Sequence, residues 1–191
     1  MKTKFLFLSL AAGLSSVSVQ ALDLTPTREF RELEGVQIPI ISFVDGKNKV
    51  SFQPPANWKF TGGGDLLNFL PPEQPNTSVS LRVLARKPDT ATDASTSEEA
   101  LTKWCRSLLP QDATDPVLKT ETVSPFTLRN LGSREFTFSY AAQGRRFMTS
   151  VCAVDLNEKE RLALVVTALP QEFKQARDLA IRSMFSWNWR D

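Results

Sequence analysis

The chain has no histidine among its 191 residues, two cysteines, one tyrosine and no large excess of either charge. Histidine is the side chain whose unperturbed pKa lies nearest neutrality and the commonest metal ligand. Its absence excludes Ser-His-Asp and Cys-His catalysis and every His-ligated zinc site. Two cysteines, Cys105 and Cys152, cannot hold zinc unaided, and they are not spaced as a redox CxxC pair. In an oxidising compartment they either join in a disulfide or stay separate buried thiols. The disulfide is the expectation, because both fall on surfaces that the hydrophobic pattern turns toward a core. With 23 basic against 21 acidic residues, no global field draws the chain onto nucleic acid or anionic lipid.

A membrane-spanning run is missing too. The apolar stretch Phe5 to Leu14 is ten residues long, about half of what crosses a hydrocarbon core. Its setting is that of a cleaved export signal: Lys2 and Lys4 before it, and the small-residue pattern Val19-Gln20-Ala21 after it. No Cys follows for lipid attachment. The mature chain is expected to start at Leu22 and to work in a periplasm or outside the cell, as a soluble protein. Both signal lysines leave with the signal, so the mature chain balances at 21 basic and 21 acidic residues.

What is present is enough for one globular domain, with 41% hydrophobic residues and thirteen Phe. Residues 22–35 mix charges without a period and are expected to form an N-terminal extension, leaving 36–191 as the folded unit. Val36 to Val44, the turn signal Asp45-Gly46 and Lys49 to Phe52 predict a hairpin. Pro54-Pro55 breaks it. Trp58 to Phe60 and Asp65 to Leu70 predict two short strands joined through Gly62-Gly63-Gly64. That glycine run is a turn and not a phosphate loop, since the GxxxxGK[ST] spacing is missing.

Thr77 to Leu84 alternates as a half-buried strand does, and Arg86 to Thr96 is a polar loop. Thr96 with Glu99 resembles a capping box, and Leu101, Trp104, Cys105 and Leu108 make an apolar stripe for a helix from Ser97 to Leu109. Pro125 to Leu131, Ser133 to Tyr140, Arg146 to Val154 and Arg161 to Leu169 predict further strands. Leu162 to Leu169 is apolar on both faces, as a central covered strand is. A last helix opens at Pro170 with Phe173, Ala176, Ala180 and Met184 on one stripe. Arg177 falls inside that stripe and disturbs it.

Few residues carry chemistry. The pairs Glu98/Glu99, Asp112/Asp115 and Glu158/Glu160 are helix N-terminal charges or solvated loops. Asp155-Leu156-Asn157 opens like a calcium loop but lacks the sixth-position glycine and the twelfth-position acid. Asn76-Thr77-Ser78 fits the N-glycosylation pattern. Arg145 and Arg146, with Arg134 on the neighbouring strand, form either a basic edge for an acidic partner or charges that protect a sheet edge. Trp187 and Trp189 either stack on a partner or seal the core.

The order of elements, with VSFQPPANWKF, TSVSLRVLA, GSREFTFSYAAQGRRFMTSVCAV, RLALVVTAL and the closing RSMFSWNW, resembles the PsbP-like superfamily, and in particular its exported bacterial branch. That superfamily includes the photosystem II extrinsic protein and a Ran-binding nuclear import factor. The resemblance implies an α/β/α sandwich, an antiparallel sheet with helices on both faces, used mainly for docking. Without histidine, no metal ligands are carried over from the photosynthetic members.

The expected function is therefore a non-catalytic exported binding or assembly module of the cell envelope, without cofactor or metal. Its partner is a protein, met through Trp187, Trp189, Arg145 and Arg146. The alternatives are a carboxylate-only hydrolase, or a small-ligand carrier with an internal apolar pocket.

Overall fold

A computed structural model describes residues 22–86 and 97–190. The proposed signal, 1–21, and most of the polar loop before the first helix, including the capping residue Thr96, lie outside the described residues. In chain order the elements are β1 (Leu22–Leu33), β2 (Val36–Asp45), β3 (Asn48–Phe52), β4 (Lys59–Gly63), β5 (Leu66–Leu70), β6 (Ser78–Ala85), α1 (Ser97–Arg106), β7 (Thr114–Leu128), β8 (Leu131–Ala142), β9 (Arg145–Asp155), β10 (Glu160–Ala168), α2 (Pro170–Met184) and β11 (Asn188–Arg190).

They form two antiparallel sheets. One has seven strands in the order β4-β5-β6-β10-β9-β8-β7, the other four in the order β1-β2-β3-β11. Strand β10 sits at the centre of the larger sheet, with Leu164 opposite Leu81 on one side and Cys152 on the other. Because successive strand residues face opposite ways, β10 feeds two cores. Leu162, Leu164 and Val166 join a large cluster with the inner face of the small sheet (Ile41, Phe43, Val50, Phe52) and with Ala176, Ala180 and Met184 of α2. Ala163 and Val165 join a smaller one with Phe136, Phe138, Val151 and Cys105, capped by Leu101 and Trp104 of α1.

This overturns the expected α/β/α sandwich. The described residues are mostly strand, eleven strands against two helices of ten and fifteen residues, and the large core is closed chiefly by a second sheet that curls against the first. The cause lies at the two ends of the chain. Residues 22–35 are no extension: Leu22 and Leu24 are buried in the large core, and β1 pairs along β2 from Leu22 opposite Asp45 to Leu33 opposite Val36. At the other end β11 adds to β3, with Trp189 opposite Val50. The expected hairpin thereby becomes a layer.

The glycine run belongs to this junction. Gly62 sits at φ +112°, and a Cβ there would come within 2.4 Å of the Leu66 carbonyl oxygen. At Gly63 a Cβ would meet Thr25 of β1 at 2.8 Å. The Gly64 N–H donates to the Asp23 carboxylate at 3.1 Å and to Thr25 Oγ1 at 3.0 Å, while Leu24 N–H donates to the Gly64 carbonyl at 2.7 Å. The side-chain-free backbone is what lets the small sheet approach the large one.

Candidate functional site

Trp187 is a core residue. It is 7% exposed and packs on Phe43 at 5.4 Å and Phe52 at 5.6 Å between ring centroids. It cannot present its ring to a partner in this fold. Trp189 is half-buried beside it, its Nε1 donating to Asp45 Oδ2 at 2.8 Å, with the Arg129 guanidinium stacked 4.4 Å from its ring. Arg129 closes the arrangement with an ion pair to Asp45 at 3.1 Å. This clamp ties the chain end to the β2–β3 and β7–β8 turns, and it covers the indole face that stacking on a partner would need.

The three arginines expected to act together do not. Arg134 pairs with Ala153 on β9, eight residues of β8 away from Ala142, which lies opposite Arg145, a separation of about 26 Å along the strand. Arg134 is neutralised by Glu98 of α1 at 2.7 Å and by Glu121 of β7 in a short contact. Those carboxylates push its guanidinium pKa up, and Arg134 in turn holds Glu98 below the usual carboxylate range. It fastens α1 to the sheet, as does Arg161, which lies 4.7 Å from the Trp104 ring and is paired with Asp155.

Arg145 and Arg146 open β9 and are both exposed. Among the described residues neither has an ion-pair partner; Arg145 makes one long bond, 3.4 Å, to the Asn76 side-chain oxygen. Edge protection does not account for them, because β8 and β9 are interior strands flanked by β7 and β10. They stand at one end of the large sheet with Gln143, which donates to Asp112 at 3.2 Å, and with the exposed Leu70.

No disulfide joins the cysteines. Cys105 lies in the core under α1 and Cys152 in the core on the other side of the sheet, so the large sheet stands between them and the expected bridge is excluded. Burial pushes the Cys105 thiol up to about 12, which makes it a packed hydrophobe and not a nucleophile.

Glu135 was not foreseen. It is 2% exposed, yet it receives Nε and Nη2 of Arg177 at 2.6 and 2.5 Å and Ser150 Oγ at 2.5 Å. Arg177 reaches Asp178 at 2.9 Å, and Lys174 reaches Asp178 at 2.8 Å. Glu135 raises the Arg177 pKa, and Lys174 holds the Asp178 carboxyl low. The sequence signal was the disturbed stripe of α2. Both Glu135 oxygens are thus engaged by partners from α2 and β9.

One member of each carboxylate pair is engaged by a neighbour: Glu98 by Arg134, Asp112 by Gln143 and Glu160 by Asn157. Among the described residues no three His, Cys, Asp or Glu side chains are grouped to hold a metal ion.

Comparison with known proteins places structures beside this geometry, and no function. No family model and no curated protein matches the sequence. The chain is similar to cyanobacterial PsbP (CyanoP) from Synechocystis, at 12% identity and TM-score 0.49 over 94% of this chain and 99% of that one. It is similar to LpqN, involved in cell envelope biogenesis of Mycobacterium tuberculosis, at 12% identity and TM-score 0.45 over 87% and 92%. The protein of unknown function PA94 from Pseudomonas aeruginosa gives 11% identity and TM-score 0.44 over 82% and 93%.

Surface depressions occur among the described residues. One of about 480 Å³ runs beside α2, lined by Lys174, Gln175, Asp178 and Arg182 among others; one of about 370 Å³ lies between Asp23, Asp65, Val83 and Lys159. Both open on the surface and carry charged walls, unlike the enclosed apolar pocket that a small-ligand carrier needs. Among the described residues no helix is long and apolar enough to cross a membrane.

Proposed function

We propose that the chain is a non-catalytic, exported binding module of the cell envelope that recognises an acidic surface of a partner protein through Arg145 and Arg146. The observation that carries this reading is the pair itself. Arg134, Arg161 and Arg177 are matched to carboxylates, whereas the adjacent Arg145 and Arg146 stand exposed at the end of the large sheet without an ion-pair partner among the described residues, on a turn where no edge needs protection. Arginine is suited to this, since its planar fork meets a carboxylate bidentately and its charge persists at any physiological pH. The signal-like residues 1–21 support export. Glu98 and Glu121, which do converge, are both bound by Arg134, and Glu135 is held by Arg177 and Ser150; carboxylates engaged by arginine favour binding over hydrolysis, which needs two acids free to face a substrate across about 5 to 10 Å.

The test uses the full chain, produced with its own residues 1–21 in an exporting bacterium. Protein in the exported fraction is expected to begin at Leu22; recovery of Met1 there overturns the export reading. Capture from native envelope extracts is then compared for the wild type and for Arg145→Glu with Arg146→Glu. The double variant is expected to lose the captured protein while keeping its melting temperature. Equal capture by both, or turnover of a substrate abolished by a single carboxylate substitution, refutes the binding reading.

A further inference from the structure

Among the described residues the two sheets have four outer strands, and β2 adds a short free edge from Val36 to Ile40 that β3 does not reach and Pro39 interrupts; three of the four outer strands are poor templates as well. Strands β4 and β11 have five and three residues, and β7 is interrupted by three register shifts. The fourth is β1. After one irregularity between Asp23 and Thr27, its ladder with β2 runs without interruption from Thr27 opposite Ser42 to Leu33 opposite Val36. Beyond the core this pair becomes a projecting arm, on which Phe30 is 68% exposed, Leu33 51% and Val36 62%. A regular, exposed edge with an uncovered aromatic ring is a site for strand addition.

What should cover it is written in the strand. Residues 28 to 32 read Arg-Glu-Phe-Arg-Glu. Set antiparallel against itself about Phe30, this segment places Arg28 opposite Glu32, Glu29 opposite Arg31 and Phe30 opposite Phe30, so every charge meets its opposite. A one-residue slip in one direction sets Glu29 against Glu32, and in the other Arg28 against Arg31. A parallel alignment sets each charge against itself. Within its own chain Glu29 already pairs with Lys49 and Arg28 lies 5.1 Å from the Phe60 ring, whereas Arg31 faces Ile38 and Glu32 faces Gln37 with no ion-pair partner among the described residues, so these two are the charges a second copy would satisfy. Opposite charges across a strand pair stabilise it and like charges oppose it.

We propose that β1 pairs with β1 of a second copy of this chain, antiparallel, about a two-fold axis through Phe30. The ladder runs from Thr27 to Leu33, with Pro26 of each copy alongside Glu34 of the other, so each folded body stands past the tip of the other's arm. Such an interface is isologous, the commonest form for a homodimer. A seven-residue ladder with two Phe rings is smaller than the roughly 1,600 Å² of a standard interface, which makes the dimer concentration-dependent.

Sedimentation of the full chain, produced with residues 1–21 and purified from the exported fraction, tests this across a concentration series. The wild type is expected to show a monomer–dimer equilibrium. Arg28→Glu alone and Glu32→Arg alone should each weaken it about ten-fold, from two like-charge pairs per dimer. An equal mixture of the two variants should restore dimerisation, because the introduced carboxylate of one then faces the introduced guanidinium of the other. Under mild oxidation Phe30→Cys should cross-link to itself and Thr27→Cys should not, since the paired Cα atoms at the axis stand about 4.5–5.5 Å apart. A chain monomeric at every concentration overturns the proposal and leaves the edge to a strand of another protein. A dimer insensitive to both charge variants, or a mixture that fails to recover, overturns it equally.

Discussion

Replacing Arg177 by Met removes a guanidinium that the sequence pattern marks as a disturbance and the fold uses as a counterion. The Glu135 carboxylate, 2% exposed, would keep only the Ser150 hydroxyl. Breaking one partner out of a fully buried ion pair costs about 3–5 kcal/mol, because the remaining charge stays desolvated. The Arg177 side chain is 29% exposed, so water can reach the vacated side, and the expected loss is about 2–3 kcal/mol. For a domain of this size that is a drop in melting temperature of about 5–10 °C. Replacing both partners, Glu135→Leu with Arg177→Met, removes the charge and its counterion together and should fall within about 1 kcal/mol of wild type. Urea titration followed by tryptophan fluorescence, closed as a double-mutant cycle, measures the coupling directly. An Arg177→Met variant within about 0.5 kcal/mol of wild type, or a double variant as unstable as the sum of the singles, would refute the reasoning.

Reductant should leave the melting temperature unchanged, and mass mapping should find no Cys105–Cys152 bridge; a mapped bridge would require a different packing of α1. Trp187→Ala should cost about 3–5 kcal/mol as a core truncation, whereas Trp189→Ala, which loses the Arg129 stack and the Asp45 bond, should cost about 1–2 kcal/mol; urea midpoints decide, and equal costs would contradict the placement of Trp187. The Asp23 and Glu29 carboxyls are held below their ordinary values of 3.8 and 4.5, first by the hydrogen bond from Thr25 and that from Lys49 respectively. Their folded-state pKa values being depressed, the stability they add is present above those ordinary values and is lost as pH falls through the lowered ones. Asp23→Asn should therefore flatten the acid limb of a stability profile measured between about pH 5 and 2, and an unchanged slope would exclude the Asp23 contribution.

The strands of the large sheet were legible because burial writes itself into a two-residue period. Val79, Leu81 and Val83 alternate on β6, and β10 is apolar on both faces because both faces meet a core. Strand β1 was not legible. Its buried anchors, Leu22 and Leu24, are only two residues, and from Arg28 onward it alternates charge and not hydrophobicity, since that half faces solvent on both sides. Most of β7 carries no legible strand period either; its edge position lets Val117 and Val123 stay exposed, which erases the period. The cysteine error has a different origin. That Cys105 faces a core and that Cys152 faces a core are both local facts. Which side of the sheet α1 takes is settled by contacts from Phe136, Phe138 and Val151, spread over two strands far from it in sequence.

The same dependence on strand order governs the arginines. Hairpin chemistry alone puts Arg134, Arg145 and Arg146 on two neighbouring strands, and a local rule then offers edge protection for all three. Once β7 lies outside β8 and β10 outside β9, that rule has no edge to act on. Arg134 is drawn to Glu98 and Glu121 because α1 and β7 bring two carboxylates to it, whereas the turn at residues 143–146 is approached by Asn76 and Asp112 without any carboxylate reaching Arg145 or Arg146 among the described residues. A charge left unmatched where it serves no edge costs little in water but adds nothing to the fold. On the binding reading proposed above, a charge reversal there should leave stability intact while removing capture of an acidic partner.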